Sequence, residues 1–432
     1  MLAQIKAHLL DSINDVVSTA NQFVLHPEKD FSRKSQLTMK TMIQAILTMG
    51  GNTLSKELLD LHLPVTQSAF VQRRYQIKHQ AFKTLFRDIT SKIPISDNLP
   101  ILAVDGSDVI LPRNRSDKTT SFQTGPHHTP YNLIHINALY NLEQEIYHDL
   151  RIQDNRNLDE RAAFIDRMKT SSFKQALVIM DRGYESYNVM AHCQERNWSY
   201  IIRICDGNNS MKTSFHLPET PCFDEEFDLK ICRKQTNEMK QLYRDFPNQY
   251  HFLPNHTSFD FLPSSSRKSE PTSFYELHFR MVRLEIKPGL FETLVTNTDY
   301  SPEKLKDLYA YRWGIETSFR DLKYSKYSIG LTHFHAKKKE GILQEIYARF
   351  INFNVCKWLT SHVAIKTSKL KQAYKICFSD AVYACRKFRR AELTSFQLET
   401  YIGKHLSIIR PNRTFQRKIK SKAPVSFTYR IS

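Results

Sequence analysis

Apolar positions recur at helical spacing through the first 95 residues, which predicts a helical region. The pattern runs through MLAQIKAHLLDSINDVV at the start, TMKTMIQAILTMG (38–50), 54–61, and a long segment from Ser68 to about Ile89. After Pro100 the pattern becomes short apolar runs. ILAVDGSDVILP (101–112) predicts a strand ending on Asp105 before a glycine turn, and YNLIHINALYNL (131–142) and EIYHDLRIQD (145–154) two further strands joined tightly. A helix over 159–169, the strand QALVIMDRGY (175–184) running into Asp181, a helix over 185–197 and the strand SYIIRIC (199–205) follow. Strands followed by alternating helix and strand predict an α/β layer around a mixed sheet.

Residues 206–290 break this rhythm with β-like pieces and a Ser/Pro/Lys-rich loop, LPSSSRKSEPTS (262–273), predicting a β-rich insertion with a mobile loop. FETLVTNT (291–298) returns to strand, and Ser301-Pro302 is a helix start with Ser as cap and Pro as first residue. LYAYRWGIETSFRDLKY (308–324) then predicts one helix with two stripes. Leu308, Ile315, Phe319 and Leu322 make an apolar stripe, and Tyr309, Arg312, Glu316 and Lys323 a polar one beside it. A carboxylate, a guanidinium, an ammonium and a phenol on one face are costly for a core and useful for handling phosphate. From about 340 to 390 the chain is helical again, and RPNRTFQRKIKSKAPVSFTYR reads as a basic, extended tail.

Charge sharpens the picture. The chain of 432 residues carries 62 Lys+Arg against 44 Asp+Glu, a formal net charge of +18. Residues 337–432 hold 21 basic and 5 acidic residues, and 1–96 hold 12 and 7, whereas the centre is near neutral. Basic ends around a carboxylate-bearing centre fit a polyanion-binding protein. Within the N-terminal region, TLSKELLDLHLPVTQSAFVQRRYQIKHQAF has helix–turn–helix spacing with Pro64 in the turn. Its second helix, capped at Ser68, displays Gln72, Arg73 and Arg74, which either read base edges or belong to a plain helical bundle. KKKE (337–340) is either a DNA-facing patch or a solvated helix start. No apolar run is long enough for a membrane span, and the start of the chain is amphipathic, unlike a signal peptide. Seven scattered cysteines without a C-x-x-C pair fit a reducing cytosol.

If the strands ending at Asp105 and Asp181 are parallel neighbours, both carboxylates leave the same sheet edge. Glu316 joins them from the two-striped helix. Asp108, three residues past Asp105, competes for the first position. Three hard oxygen donors without a His or Cys cluster suit two Mg²⁺ or Mn²⁺ ions, which activate a water or a 3′-hydroxyl and stabilise a phosphodiester's leaving oxygen. Arg312 and Lys323 would grip nearby phosphate. His333 and His335 in THFHAK read as surface or hydrogen-bonding residues, and Trp313 as buried against the domain, with stacking on an unpaired base as the alternative.

Tyr309-x2-Arg312-x3-Glu316-x6-Lys323 resembles the Y-x2-R-x3-E-x6-K signature of bacterial insertion-sequence transposases of the family named after insertion sequence four. AVDGSDVILP, VIMDRGYESYN, TLVTNT and PNRTFQRKIK are similar to the segments around that family's first Asp, second Asp, pre-signature strand and basic tail. The resemblance spans about residues 30–425 and implies a ribonuclease-H-like mixed sheet with helices, interrupted by a β-rich insertion, plus helical N- and C-terminal regions. The expected division is 1–95 as a helical DNA-binding region, 96–205 and 291–335 as the two parts of the catalytic domain, 206–290 as the insertion, and 336–432 as the helical basic C-terminal region and tail. It further implies a DDE transposase with Asp105, Asp181 and Glu316 as ligands of two Mg²⁺ or Mn²⁺ ions. Tyr309, Arg312 and Lys323 would contact DNA. The expected partners are the element's terminal inverted repeats, target DNA and a second copy of the chain, with no membrane, in the bacterial cytoplasm and at the nucleoid when on DNA. The alternatives are a catalytically inactive, recruited DNA-binding protein and a structure-specific nuclease of the same fold.

Overall fold

The computed structural model describes residues 1–123, 125–154, 159–207, 210–264, 271–323, 329–365 and 373–409. The centre of the 262–273 loop, the end of the 308–324 segment and the basic tail fall outside these described residues.

Six helices come first: α1 (Leu2–Ser18), α2 (Ala20–Phe23), α3 (Met39–Thr48), α4 (Leu54–Asp60), α5 (Gln67–Arg74) and α6 (Gln80–Ser91). Threonine hydroxyls at 38, 53 and 66 cap α3, α4 and α5 by accepting backbone N–H groups left open in the first turn. The cap of α5 is therefore Thr66 in place of Ser68. The segment read as one helix to Ile89 is two, because Ile77 leaves the helix to bridge Val24.

The sheet is built from β1 (Ile101–Leu111), β2 (Ser121–Phe122), β3 (Tyr131–Asn141), β4 (Ile146–Asp154), β5 (Leu177–Met180) and β6 (Ser199–Ile204), with α7 (Glu160–Thr170) and α8 (Tyr187–Glu195) between the later strands. β1 lies antiparallel to β3 and parallel to β5, β3 is antiparallel to β4, and β5 is parallel to β6. This order, β4-β3-β1-β5-β6, is the ribonuclease-H-like arrangement. The stretch after β6 adds β7 (Phe223–Cys232), α9 (Asn237–Asp245), β8 (Tyr250–Phe252), β9 (Tyr275–Lys287) and β10 (Leu290–Thr296). Its strands extend the same sheet: β10 pairs with β6, then β9, β7 and β8 follow, giving ten strands.

Beyond the sheet come α10 (Pro302–Tyr311), α11 (Trp313–Lys323), α12 (Lys339–Ser361), β11 (Tyr374–Ile376), α13 (Phe378–Arg389), α14 (Ser395–Lys404) and β12 (Leu406–Ile408). α12 is buried nearly all round, because α1, α3 and α6 cover one side and β4, α11 and α13 the others. Alternation along β1 feeds two cores. Ala103, Val109 and Leu111 pack into the core shared with α11 and α12, while Leu102 and Val104 face the core shared with α7 and α8. Among the described residues no helix is long and apolar enough to cross a membrane.

Candidate active site

The pairing of β1 with β5 sets the first two carboxylates. Val104 is in register with Met180, so Asp105 and Asp181 are the next residue of each strand. Asp181 ends its strand and opens a short 3-10 turn, its Oδ1 accepting Arg182 N–H at 2.8 Å. Asp105 does not end its strand. β1 runs on to Leu111, correcting the expected turn at Gly106, which stays in register with Asn137. A glycine is required there for another reason: a Cβ on Gly106 would collide with His135 Nε2 and Glu160 Oε1.

The same alternation separates Asp105 from Asp108. Asp105 shares the odd-numbered face of β1 with Ala103 and Val109, the face that packs on α11. Asp108 lies across from His135, and its Oδ1 is 2.7 Å from His135 Nδ1. On the other side of that ring, Nε2 is 2.9 Å from Glu160 Oε1, off the hydrogen-bond direction. Burial works against the imidazolium, yet Asp108 and Glu160 push the His135 pKa up to about 9. Burial pushes Asp105 up to about 6, against Gly106 N–H and Arg312, with Glu316 and Glu160 adding to the rise.

The helix expected over 308–324 is broken into α10 and α11 at Arg312. Arg312 N–H donates to Tyr309 O at 3.2 Å and Ile315 N–H to Arg312 O at 3.1 Å, a tightened turn of i→i+3 bonds. The Arg312 guanidinium is only 3% exposed, and its Nη2 donates to Glu316 Oε1 at 2.9 Å. Its Nε and Nη1 have no hydrogen-bond partner among the described residues. Burial disfavours its charge, but Tyr309, Asp181 and Glu316 outweigh that and raise its pKa.

Tyr309 is buried, with its hydroxyl 3.3 Å from Asp181 Oδ1 as donor. Lys323 Nζ donates to Ser107 Oγ at 2.6 Å and Asp108 O at 2.5 Å, and burial lowers its pKa to about 8. Trp313, expected in the core, is 56% exposed: it starts α11 on the side away from Ile315 and Phe319. Its indole lies beside the site, 6.0 Å from the Arg312 guanidinium.

Sequence reasoning missed Arg203, Glu160 and His135. Arg203 sits 3.9 Å from Asp181 and 3.3 Å from Glu292. Its only signal was a lone charge inside the apolar run SYIIRIC. His135, inside an apolar strand, carried a similar signal, and Glu160 carried none, since an acidic residue in a helix's first turn is ordinary.

The arginines expected to read bases are engaged elsewhere. Arg74 is buried against Glu345, Gln344 and Gly341 O, and Arg73 bonds Leu37 O and Gln76 while covering the Phe31 ring. Gln72 remains exposed. In KKKE, Lys339 pairs with Asp154 at 2.7 Å and Lys338 lies over Tyr75. The His335 ring is buried against Glu345, 3.3 Å away.

The donor set fits a divalent hard cation: carboxylate oxygens, a desolvated Asp105 with a carboxyl shifted upward, and no His or Cys in the triad. Among the described residues no three His, Cys, Asp or Glu side chains are drawn together tightly enough to hold an ion as they stand.

Comparison with solved structures finds a piggyBac transposase synaptic complex with hairpin DNA, at 12% identity and a TM-score of 0.46, covering 95% of this chain and 84% of that one. Among curated proteins, a phosphoenolpyruvate carboxylase of Prochlorococcus marinus subsp. pastoris is 28% identical over 156 residues. That stretch is 34% of this chain and 16% of the carboxylase, so the chain spans a small part of that relative's length. The sequence model of the family described as "Transposase DDE domain" matches residues 97–355, which contain all three carboxylates and the whole polar stripe. The chain belongs to the DDE transposase-domain family.

Proposed function

We propose that the chain is the transposase of a bacterial insertion sequence, of the group named after insertion sequence four. It cleaves the element's ends and joins them to target DNA. One observation supports the reading: buried Arg312, bonded to Glu316 and acted on by the charges of Asp181 and Asp105, keeps two N–H groups unspent. A buried guanidinium with unsatisfied donors asks for an anion, and phosphate offers paired oxygen acceptors that match its fork.

In this reading Asp105, Asp181 and Glu316 hold two Mg²⁺ or Mn²⁺ ions, and Asp108 stays on the far face of β1 with His135. The bound ions supply activation of a water or 3′-hydroxyl and charge stabilisation at the leaving oxygen. Arg312 binds the phosphate at the cleaved end through Nε and Nη1 while its Nη2 orients Glu316. Lys323 spends two of its three donors on β1 and turns the third to DNA. Tyr309 orients Asp181 through its hydroxyl, beside the DNA contact that the family resemblance implies. Hydrolysis frees a 3′-hydroxyl at each element end, and that hydroxyl then attacks a target phosphodiester, forming a new P–O bond while the target's 3′-oxygen leaves as a hydroxyl. Two ends must be handled together, so the DNA complex contains at least two copies of the chain. The basic region 336–432 supplies backbone binding, and the site of action is the bacterial nucleoid.

Lysine in place of Arg312 keeps the charge and loses the fork. Arg312→Lys should bind end DNA about tenfold more weakly. A gel-shift titration checks this, and unchanged affinity would remove Arg312 from the DNA contact.

The test of the function itself uses a duplex carrying the inverted repeats that flank the coding region. With Mg²⁺ the full chain should nick at the repeat boundary, leave a 3′-hydroxyl and join that end to a second duplex. Cleavage without joining would make it a nuclease, and binding without cleavage a recruited DNA-binding protein.

A further inference from the structure

The edge of the sheet carries a cleft that the cleavage chemistry does not use. β4 pairs with β3 and with no other strand among the described residues. α6 and α12 border it on one face and α7 on the other, because Leu150 turns into the core shared with α12 while Asp149 and Arg151 meet α7. The space between these helices is about 510 Å³, with residues 150–154 of β4 as its floor.

Its walls are basic. Lys83 from α6, Arg151 from β4, Arg167 from α7 and Lys339 from α12 line it, and exposed Arg87 stands one turn beyond Lys83. Three of these cations are matched: Arg151 pairs with Asp166, Arg167 with Asp149 at 3.0 Å and Lys339 with Asp154 at 2.7 Å. The side chains of Lys83 and Arg87 have no hydrogen bond or ion pair among the described residues. Burial, then the guanidiniums of Arg87 and Arg167, lower the Lys83 pKa in spite of Asp149. Arg167 Nε is also buried without a partner. A solvated face of paired charges explains the three matched residues. It does not explain a partly desolvated lysine crowded by guanidiniums, a strain that a bound polyanion relieves.

Register sets the distance to the chemistry. Asp105 pairs with Ala138 and Ala138 with Leu150, so the cleft floor lies directly across the sheet from Asp105. Two strand spacings are about 10 Å, the rise of about three base pairs of a duplex. DNA with one phosphodiester at the carboxylates therefore has neighbouring phosphates within reach of the cleft. A wall of Lys and Arg grips phosphate and carries no base information.

We propose that the β4-edge cleft binds the backbone of target DNA, with Lys83 and Arg87 as its unmatched phosphate-binding cations. The proposal rests on the transposase reading above and divides the grip on DNA in two. Arg312 holds the element end, and the cleft holds the duplex that the end is joined to. Binding without regard to sequence suits the target, since the element ends are defined by their repeats.

The test compares the full-length chain with the Lys83→Gln/Arg87→Gln double variant, with thermal melting as the check on folding. On a random-sequence duplex without the repeats, the double variant should bind about tenfold more weakly, and the slope of log affinity against log salt should fall by about 2. Arg87→Gln alone, at an exposed position, should lower that slope by about 1. The double variant should nick element ends at the native rate and join them to target several-fold more slowly. Native affinity and salt slope on the random duplex would overturn the cleft as a DNA site. End cleavage lost in step with joining, at a native melting temperature, would overturn the target assignment. A native chain that neither nicks nor joins would overturn the transposase reading, and the random-duplex titration would still decide the cleft.

Discussion

Glu316→Gln should bind end DNA with near-native affinity and lose cleavage by a factor of about a thousand or more, the scale of removing one strong electrostatic contributor. The substitution is nearly isosteric. The amide keeps an oxygen to accept from Arg312 Nη2, now 2.9 Å from Glu316 Oε1, so the guanidinium stays placed for phosphate. What disappears is one negative charge among three carboxylates, and with it the affinity for a hard cation. Binding and cutting should therefore separate: Arg312 governs how tightly the end is held, Glu316 whether it is cut. A strand-cleavage assay beside a gel shift measures both, and normal cleavage by Glu316→Gln would place the chemistry elsewhere.

Glu345→Ala should cost about 3–5 kcal/mol of stability, the largest effect expected away from the site. Glu345 is 1% exposed in the middle of α12. Its oxygens meet Arg74 Nη1 at 2.7 Å, His335 N–H at 3.1 Å, Ala336 N–H at 3.0 Å and Arg349 Nη2 at 3.8 Å. Removing it leaves two buried guanidiniums facing each other without a counter-charge. Burial alone would raise the carboxyl, but Arg74, His335 and Arg349 hold it far below the ordinary 4.5. A carboxyl depressed by folding stabilises the fold fully above its ordinary value, and the contribution fades as pH falls below that. The gap in urea unfolding between the native chain and the Glu345→Ala variant should accordingly narrow under acid. A loss under about 1 kcal/mol at neutral pH would mean the cluster is worth no more than a surface pair.

This cluster also marks where sequence reading fails. Arg73 and Arg74 look DNA-facing because local spacing says only that they sit near the end of an exposed-looking helix. The counter-charge of Arg74, Glu345, is 271 positions away, and the hydrogen bond between them is a tertiary fact. The elements that carry the carboxylates have local signals. An apolar run stopping on Asp181 marks a strand end, and the four-residue polar stripe beside Leu308, Ile315, Phe319 and Leu322 marks a face that a core would not tolerate. The parallel pairing of β1 with β5 is a tertiary fact, since β3, β4 and α7 lie between them in the chain.

Asp105 and Asp108 could not be separated from composition, since both stand in one strand near one glycine. Register separates them: odd and even positions of β1 face different cores, and Asp105 is on the face that packs on α11. The break at Arg312 was missed although Gly314, a poor helix former, stands two residues beyond it. At the break the Arg312 side chain is buried and Trp313 is left outside.

The most direct measurement of the central claim is iron-directed backbone cleavage. Fe²⁺ replacing Mg²⁺ on the full chain bound to end DNA, with ascorbate and peroxide, generates hydroxyl radicals that cut the polypeptide beside the ion. Cuts should fall near Asp105, Asp181 and Glu316, and excess Mg²⁺ should suppress all of them together. Cuts that spare these three segments, or that persist unchanged in excess Mg²⁺, would contradict a shared divalent-ion site.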